Sequence, residues 1–252
     1  MLLDSVPPPE QRLDTMDTFI FSCHSDLACF NRCCRNKHLP LTPYDVLRLK
    51  TALGHLSDDF LSKYTLYSLA PDSGFPIISL RMGDDPDKVC PFVGRNGCRV
   101  YKDRPTVCRL YPLGRASGKK QGQAVGDAFF FKLDTPACLG VKEKEVCTVE
   151  EWMEEQGLIP YITMNDKMLG ILFHPKRVRT TPLNEGQIQK VMVACYNLDL
   201  FREFIFKTRF LESFEVDEDI RSKIGADDAG LLDFAFNYLD RTLFPDHFGL
   251  IP

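Results

Sequence analysis

Eight of the ten cysteines in this chain of 252 residues lie within one segment, and their thiols are its most distinctive chemical groups. Zinc, iron and iron–sulfur clusters all bind cysteine thiolates, generally four to a centre. Eight thiols would therefore serve two centres, or one centre with several cysteines left for other work. The predicted metal ligands are Cys23, Cys29, Cys33, Cys34, Cys90, Cys98, Cys108 and Cys138.

The spacing of these cysteines excludes the simplest metal-binding motifs. They follow each other as Cys23-x5-Cys29-x3-Cys33-Cys34 and, after a gap of 55 residues, as Cys90-x7-Cys98-x9-Cys108. Neither the Cys-x2-Cys knuckles of zinc fingers nor the tight cysteine run of ferredoxins occurs. The fold must therefore gather the ligands from separate loops. Because neighbouring side chains tend to point apart, Cys33 and Cys34 are expected to serve different ions, or one of them to stay free.

The first residues of the chain predict a reducing compartment. Residues 1–10 contain no basic region followed by an apolar one, and Pro7-Pro8-Pro9 would break a signal helix. We therefore expect a cytoplasmic protein, in which clustered thiols bind metal more often than they form disulfides. Cys147 and Cys195 lie outside the cluster and are predicted to be small buried hydrophobic residues, whereas His24 is a candidate for an additional ligand.

The charges indicate what the partners could be. The formal net charge of −4 argues against general nucleic-acid binding, but the segment from Cys90 to Lys120 is strongly basic. Its arginines could donate hydrogen bonds to sulfur or to an anionic group beside the metal, pair with nearby aspartates, or form a solvated face. The candidates for this cofactor-binding role are Arg99, Arg104 and Arg109.

The pattern of the remaining residues predicts an α+β fold. Thr42-Pro43 and the apolar spacing after it indicate a helix over 43–54, with a second starting near Ser57. Between about 65 and 133, short β-like runs such as 76–80 and 128–133 predict a small antiparallel sheet, with a hairpin loop over the glycines of 114–126. We expect a flexible tail over 1–18, an irregular cysteine-rich metal-binding domain over 19–147, and a helical region over 148–252 packed on it.

The helical region has recognisable start signals and apolar stripes. Thr148 and Glu151 form a predicted capping box, and Gly157 is a predicted stop. The stripes that begin at Ile188 and Leu232 predict core-facing helices. Five phenylalanines between residues 201 and 214 cannot all be buried by one helix, so some should line a groove or pack on the cysteine domain. No run approaches the ~18 to 20 apolar residues of a membrane span.

The run from Cys90-Pro91-Phe92 through Gly97-Cys98-Arg99, Arg104-Pro105 and Cys108-Arg109-Leu110-Tyr111-Pro112, with the upstream cysteine pair and Cys138, resembles the YkgJ-type cysteine-cluster proteins. These carry a zinc- or iron-chelating domain. The resemblance covers about residues 19–150 and implies that the eight clustered cysteines hold the metal. The x5 and x3 spacings depart from the x2 and x2 common in the family, which makes Cys23 and Cys29 less secure ligands than the others.

Some longer relatives of that family are lysine N-methylases associated with an iron–sulfur cluster. The resemblance therefore favours an iron–sulfur cluster, such as 4Fe–4S, slightly over zinc. It suggests a metal-dependent modifying enzyme, methylase-like, acting on a protein or an anionic small molecule. The alternative is a non-catalytic, zinc-stapled protein-interaction module, and metal sensing or delivery is a third hypothesis. No glycine fingerprint of a dinucleotide fold occurs, and no nucleophilic triad is identifiable from spacing.

Overall fold

The computed structural model describes residues 7–117, 128–174, 182–214 and 216–243. Within those ranges, no helix is both long enough and apolar enough to cross a lipid bilayer. Short strands occupy the first part of the chain, and helices occupy most of the part after residue 148. The predicted α+β class, with small antiparallel sheets followed by a mainly helical region, is therefore confirmed.

The described strands and helices are as follows. The strands are β1 (Arg12–Leu13), β2 (Thr18–Ile20), β3 (Pro40–Leu41), β4 (Thr65–Leu69), β5 (Pro76–Leu80), β6 (Val93–Gly94), β7 (Gly97–Cys98), β8 (Leu113–Ser117), β9 (Ala128–Lys132) and β10 (Val146–Thr148). The helices are α1 (Pro43–Leu53), α2 (Ser57–Tyr64), α3 (Thr106–Leu110), α4 (Val149–Glu155), α5 (Ile159–Leu172), α6 (Glu185–Val191), α7 (Leu198–Lys207), α8 (Phe210–Ser213), α9 (Glu218–Ala226) and α10 (Asp228–Leu243).

The strands form several small antiparallel sheets rather than one. Two have three strands each, in the orders β1-β9-β8 and β3-β5-β4, and the pairs β2-β10 and β6-β7 make two more. The predicted strands over 76–80 and 128–133 correspond to β5 and β9. The strands β8 and β9 pair on either side of the predicted hairpin loop, but Gly114 lies within β8 rather than in a loop. The glycines at 118, 122 and 126 lie outside the described residues.

Part of the segment predicted as a flexible tail is held in sheets. Arg12 and Leu13 pair with Phe131 and Phe130, and Thr18 opens the strand that pairs with β10. These strands have only two and three residues, which is too short for a recognisable strand pattern in the sequence. Residues 1–6 of the predicted tail lie outside the described part of the chain.

Two hydrophobic clusters hold the molecule together. The larger one joins α1, α2 and β5 to α5, α7 and α10, and it includes the fully buried side chains of Leu49, Phe60 and Leu232. The smaller one packs Trp152 against Phe19 and Phe21, with ring centroids 5.9 and 5.4 Å apart. Residues before and after position 148 contribute to both clusters, so the cysteine-bearing segments and the helices share their core.

The helical start signals are confirmed. Thr148 accepts a hydrogen bond from the backbone N–H of Glu151, whose carboxylate accepts one in return, and Gly157 has a left-handed φ of 59° after α4. The stripe beginning at Ile188 runs through α6 into a π-helical turn, and the stripe beginning at Leu232 lies in α10.

The phenylalanine-rich segment divides between core and surface. Phe201 and Phe210 are buried, and the ring of Phe210 stacks on Phe214 with centroids 4.3 Å apart. Phe204 and Phe206 remain 41% and 38% exposed. The expectation that one helix cannot bury all five rings is confirmed, since α7 buries Phe201 but leaves Phe204 and Phe206 partly exposed.

A buried carboxylate ties the start of α1 to α3. Asp45 accepts a hydrogen bond from the backbone N–H of Thr42 in the capping box. Its other oxygen accepts from the backbone N–H of Thr106 at 2.8 Å and from the Thr106 hydroxyl at 2.7 Å. Burial raises the pKa of Asp45, while these hydrogen bonds oppose that rise. The side chain thus links two segments that are 61 residues apart.

Replacing Asp45 by alanine should lower the free energy of unfolding by about 2 to 4 kcal/mol, because the cap is lost and the Thr106 donors are left buried without an acceptor. Urea denaturation measures this. The exposed Asp72 is the matched control, and Asp72→Ala should change stability by less than about 0.5 kcal/mol. Equal effects of the two substitutions would contradict the assigned role of Asp45.

Candidate metal centre

The adjacent cysteines lie in a short helical turn that pairs with a distant segment. Asn31 takes a left-handed φ of 65°, which asparagine tolerates better than most residues, and the turn Arg32–Cys34 follows. The carbonyl of Cys34 then accepts the backbone N–H of Cys90 at 2.8 Å. The next residue, Arg35, forms an antiparallel bridge with Val89. Backbone pairing therefore closes the gap of 55 residues that separates the two cysteine groups in the sequence.

A small hairpin places Cys98 beside Cys90. The strands β6 and β7 pair Val93 with Cys98, and the turn between them uses Gly97 at a φ of 105°, a conformation that favours glycine. The N–H of Val93 also donates to the carbonyl of Cys90 at 3.1 Å. The sequence CPFVGRNGC thus folds back on itself and brings its two cysteines to the same end.

Cys108 lies in α3, whose position is fixed from both sides. The helix follows Pro105, and the N–H of Cys108 donates to the carbonyl of that proline at 2.9 Å. Thr106, in the first turn, is bound to Asp45. After the helix, the peptide bond between Tyr111 and Pro112 is cis. The buried contact between α3 and α1 therefore holds the backbone around Cys108 in place.

The remaining clustered cysteines come from two further segments that meet each other. The sulfur of Cys29 accepts the backbone N–H of Leu139, the residue after Cys138, at 3.3 Å. The N–H of Ser22, the residue before Cys23, donates to the carbonyl of Gly140 at 3.1 Å. The pairing of β2 with β10 supports this arrangement. Cys23, Cys29 and Cys138 are consequently neighbours.

The thiols influence one another's ionisation. Burial raises the pKa of Cys23, and Cys33, Cys138 and Cys29 raise it further. Burial likewise raises the pKa of Cys108 to about 12, with additional contributions from neighbours that include Cys90, Cys98 and Cys33. Such effects fall off with distance, so each of these two thiols lies near the cysteines that shift its pKa.

The pair Cys33 and Cys34 shares one hydrogen bond. That bond lowers the pKa of Cys33 to about 7 and raises the pKa of Cys34. Cys90 and Cys108 also raise the pKa of Cys34. The shared hydrogen bond also shows that the two side chains lie next to each other.

The donor set suits a metal in its chemistry. All ten cysteines carry free thiols, and soft thiolates are the preferred ligands of zinc and of iron–sulfur clusters. Within the described residues, no group of three or more histidine, cysteine, aspartate or glutamate side chains stands in metal-holding geometry. The side chains would therefore have to rotate toward a common point on binding, while their backbone segments are already paired.

The two cysteines outside the cluster lie in or against the hydrophobic clusters, and His24 lies near two carboxylates. Cys195 is buried in the larger hydrophobic cluster, and burial raises its pKa. Cys147 lies in β10 and packs against the smaller cluster. His24 approaches Asp26 and Glu143, with nitrogen–oxygen distances of 4.0 and 3.9 Å.

The three candidate arginines are bound mainly to protein carbonyls. Arg109 is buried and donates to the carbonyls of Lys102, Arg104 and Gln156, and also to the Tyr161 hydroxyl at 3.0 Å. Arg99 donates to the carbonyl of Pro91. The donors of these two side chains therefore organise the backbone around the cysteines.

Arg104 is also held by the protein and lies near two of the clustered cysteines. It donates to the Tyr101 carbonyl at 2.6 Å and to the Gln156 side chain. Burial lowers its pKa, and the nearby Cys108 and Cys98 act in the opposite direction. Two nearby aspartates that could have paired with these arginines form ion pairs with other residues. Asp103 pairs with Arg48, and Asp87 pairs with Arg35.

A groove adjoins the end of the cluster near Cys138. Tyr111 is hydrogen-bonded to the side chains of Cys138 and Thr135, and burial raises its pKa. Next to it lies a solvent-open groove of about 360 Å³. The groove is lined by Phe19, Ile20, Pro112, Lys132, Leu133, Asp134, Thr135, Pro136 and Val141. Sequence reasoning missed both features, although Tyr111 belongs to the cysteine-rich run that was singled out.

Residues 22–139 match the family model CxxCxxCC, whose description is "putative zinc- or iron-chelating domain". The matched segment is slightly under half of the chain. All eight clustered cysteines lie inside the matched range, and Cys147 and Cys195 lie outside it. No match to this chain was found among curated proteins or among solved structures. The predicted resemblance to a cysteine-cluster family is therefore confirmed over these residues, and the match supports metal binding by a zinc- or iron-chelating domain.

Arg109 fixes the backbone around Cys108 through its hydrogen bonds to three carbonyls. Arg109→Met keeps most of the side-chain volume but leaves three carbonyls without their donor, so the free energy of unfolding should fall by about 2 to 4 kcal/mol. Chemical denaturation of the full chain measures the change. Arg95 is exposed, and Arg95→Met should alter stability by less than about 0.5 kcal/mol. An Arg109 variant as stable as the control would disprove this role.

Proposed function

We propose that the CxxCxxCC domain holds a thiolate-ligated metal centre through its eight clustered cysteines, and that the centre is an iron–sulfur cluster rather than zinc. The observation that carries the proposal is that the chain segments bearing these free thiols contact one another, the segment of Cys34 with that of Cys90 and the segment of Cys29 with that of Cys138. Clustered thiolates repel one another, and a bound cation removes that repulsion. The preference for iron comes from the resemblance to relatives that carry an iron–sulfur cluster.

The basic residues support the same proposal. Thiolate-ligated centres carry net negative charge, and nearby cations stabilise them. Arg104 and Arg99 both lower the pKa of Cys98, against the effect of burial, so they favour its thiolate form. We therefore retain Arg99, Arg104 and Arg109 as residues beside the cofactor. Their proposed role is to fix the surrounding backbone and supply positive charge, with the ligands provided by the cysteines.

The groove next to Cys138 supports an enzymatic role. Its lining combines apolar side chains with one cation, Lys132, and one anion, Asp134. Tyr111 connects the groove to the cluster, because the side chains of Thr135 and Cys138 share it as a hydrogen-bond partner. A protein side chain or an anionic small molecule bound there would lie close to the metal centre. A modifying reaction, methylase-like, is the one that the resemblance suggests.

A second function is favoured by one surface of the molecule. The edge strand β4 exposes Leu66, Tyr67 and Leu69, which are 51%, 51% and 42% accessible. An edge strand with apolar side chains can accept another protein segment. In this alternative the metal is zinc, it staples the irregular loops together, and the domain acts as an interaction module in the cytoplasm without catalysis.

Protein purified without oxygen should be brown, should absorb broadly in the visible range and should release sulfide in acid, because an iron–sulfur cluster is bound. Elemental analysis of the same sample should find iron. A colourless protein with stoichiometric zinc would instead support the stapled interaction module. A protein that contains neither metal would overturn the proposed metal centre altogether.

Cys108→Ser and Cys33→Ser should each lower the metal content and the melting temperature, because metal-binding free energy is partly folding free energy. The matched control is Cys195→Ser, which should keep its metal even though a buried hydroxyl costs about 1 to 3 kcal/mol. Elemental analysis and a thermal melt measure both quantities. Loss of metal from the Cys195 variant, or full retention of metal in the other two, would show that the cysteines are wrongly assigned as metal ligands and non-ligands.

A further inference from the structure

We propose that the protein forms a symmetric dimer in which the edge strand β4 of one copy pairs antiparallel with β4 of a second copy. The strand has the outer position in the sheet β3-β5-β4, and β5 is its one neighbouring strand among the described residues. The inference goes beyond the proposed metal centre and does not depend on it. In the alternative function β4 accepts a segment of another protein, whereas here its partner is a second copy of this chain.

The composition of β4 sets it apart from the other edge strands of the three-stranded sheets. Soluble proteins commonly protect such edges with charged residues, with proline or by keeping the strand very short. Both β1 and β3 have two residues, and β3 begins with Pro40. β8 carries Arg115, which pairs with Asp166. β4 has five residues, Thr-Leu-Tyr-Ser-Leu, without a charge or a proline, so it is suited to accept another strand.

The hydrogen bonds at the two ends of β4 show which of its backbone groups face outward. The N–H of Arg81 donates to the Tyr64 carbonyl at 2.8 Å, and the N–H of Ala70 donates to the Phe75 carbonyl at 2.9 Å. Hydrogen-bonded residues alternate along an antiparallel strand. The even-numbered residues of β4 therefore bond to β5, and the backbone groups of the odd-numbered residues point to the open edge.

Two residues leave this edge unpaired. The first odd-numbered residue, Thr65, has partners already, since its N–H donates to the Leu61 carbonyl and its carbonyl accepts a hydrogen bond from Arg81 at 2.9 Å. The N–H and carbonyl groups of Tyr67 and Leu69 have no further partner within the described residues. A second strand must therefore align with these two residues.

An antiparallel pairing centred on Ser68 satisfies all of these groups at once. It places Tyr67 of each copy opposite Leu69 of the other as a hydrogen-bonded pair, so that every free N–H meets a free carbonyl. A pairing centred on Tyr67 would instead place Leu69 opposite Thr65, whose backbone groups are already bonded. The register centred on Ser68 also joins the two three-stranded sheets into one continuous sheet.

The side chains on the same edge are complementary to themselves. Tyr67 and Leu69 are 51% and 42% exposed, although the residues opposite them in β5, Ile78 and Pro76, are buried. The apolar face of the sheet thus continues from the core onto β4, where it stays uncovered. In the proposed register, each Tyr67 ring packs on Leu69 of the second copy, and such cross-strand pairs of aromatic and aliphatic side chains are stabilising.

The charges that flank β4 also favour a second copy as the partner. Lys63 precedes the strand and Asp72 follows it, and both side chains are exposed. Because antiparallel pairing brings the start of one strand beside the end of the other, Lys63 of each copy lies near Asp72 of its partner. The interface is small compared with the roughly 1,200 to 2,000 Å² of stable complexes, so we expect a reversible dimer that forms at micromolar concentrations.

Sedimentation equilibrium of the full chain, purified without oxygen, tests this dimer. Leu69→Lys should weaken association about tenfold or more, because the substitution places an ammonium group against the Tyr67 ring of the second copy and removes it from water. The matched control is Leu200→Lys. Leu200 lies in α7 and is 45% exposed, close to the 42% of Leu69, and its substitution should leave the association unchanged.

Disulfide formation tests the register independently. In the proposed pairing the two Ser68 residues are directly opposite without a hydrogen bond, so their Cα atoms lie about 4.5 Å apart, a separation that a disulfide spans. Oxidised glutathione should therefore link the two introduced thiols of Ser68→Cys. The control is Leu66→Cys, whose introduced thiols lie on residues roughly 13 Å apart and should not be joined. Mass spectrometry of peptides distinguishes these bonds from any that involve the native cysteines.

The outcomes decide both the dimer and its geometry. Unmodified protein that stays monomeric from micromolar to millimolar concentration would overturn the proposal, and a dimer that Leu69→Lys does not weaken would show that another surface is used. Equal cross-linking of Leu66→Cys and Ser68→Cys would contradict the register. Circular dichroism checks folding, and if Leu69→Lys fails to fold, the comparison of the two cysteine variants decides. Metal content is measured separately, so its absence would bear on the proposed function alone.

Discussion

The mutual repulsion of clustered thiolates is the constraint on which the rest of this molecule depends. Removing one thiolate from water is unfavourable, and placing others next to it adds to the cost. Accordingly, burial and neighbouring sulfurs raise the pKa of Cys23, Cys90 and Cys108. Protonation can remove the negative charge of so many thiolates, and a bound cation can offset it. A fold that nevertheless gathers them fits a domain of a zinc- or iron-chelating family.

The scaffold keeps the cysteine segments in place through buried polar groups as well as apolar packing. Asp45 joins α1 to α3, and Arg109 joins α3 to the end of α4 and to Tyr161 in α5. Both side chains are buried, ionisable and hydrogen-bonded. They fix the relative positions of the segments they join, and their removal would leave buried partners without hydrogen bonds. The helices after residue 148 are consequently part of the support for the metal-binding segment.

The surface of the molecule differs at the two ends of the cluster. Toward the larger hydrophobic cluster, the thiols of Cys90 and Cys98 are partly buried against helices and strands. Toward the smaller one, Cys23 is exposed and a groove lies next to Tyr111. Structural metal sites are closed, and catalytic sites keep access for a further ligand. The partly buried end of the cluster therefore suits a structural metal site, whereas the exposed end suits a site that a further ligand can reach.

The sequence by itself determined the elements whose signals are local. The capping residues of α1 and α4 and the apolar runs of β5 and β9 depend on neighbours within a few positions, so they were predictable. The family is likewise encoded in the order of cysteines, prolines and aromatic residues in one run. The tertiary structure alone decided the pairing of Arg12 with Phe131, the carbonyl partners of Arg109, and the contact of Tyr111 with Cys138. It also decided which thiols are neighbours, because hydrogen bonds and electrostatic effects act through space, between residues that the sequence separates by tens of positions.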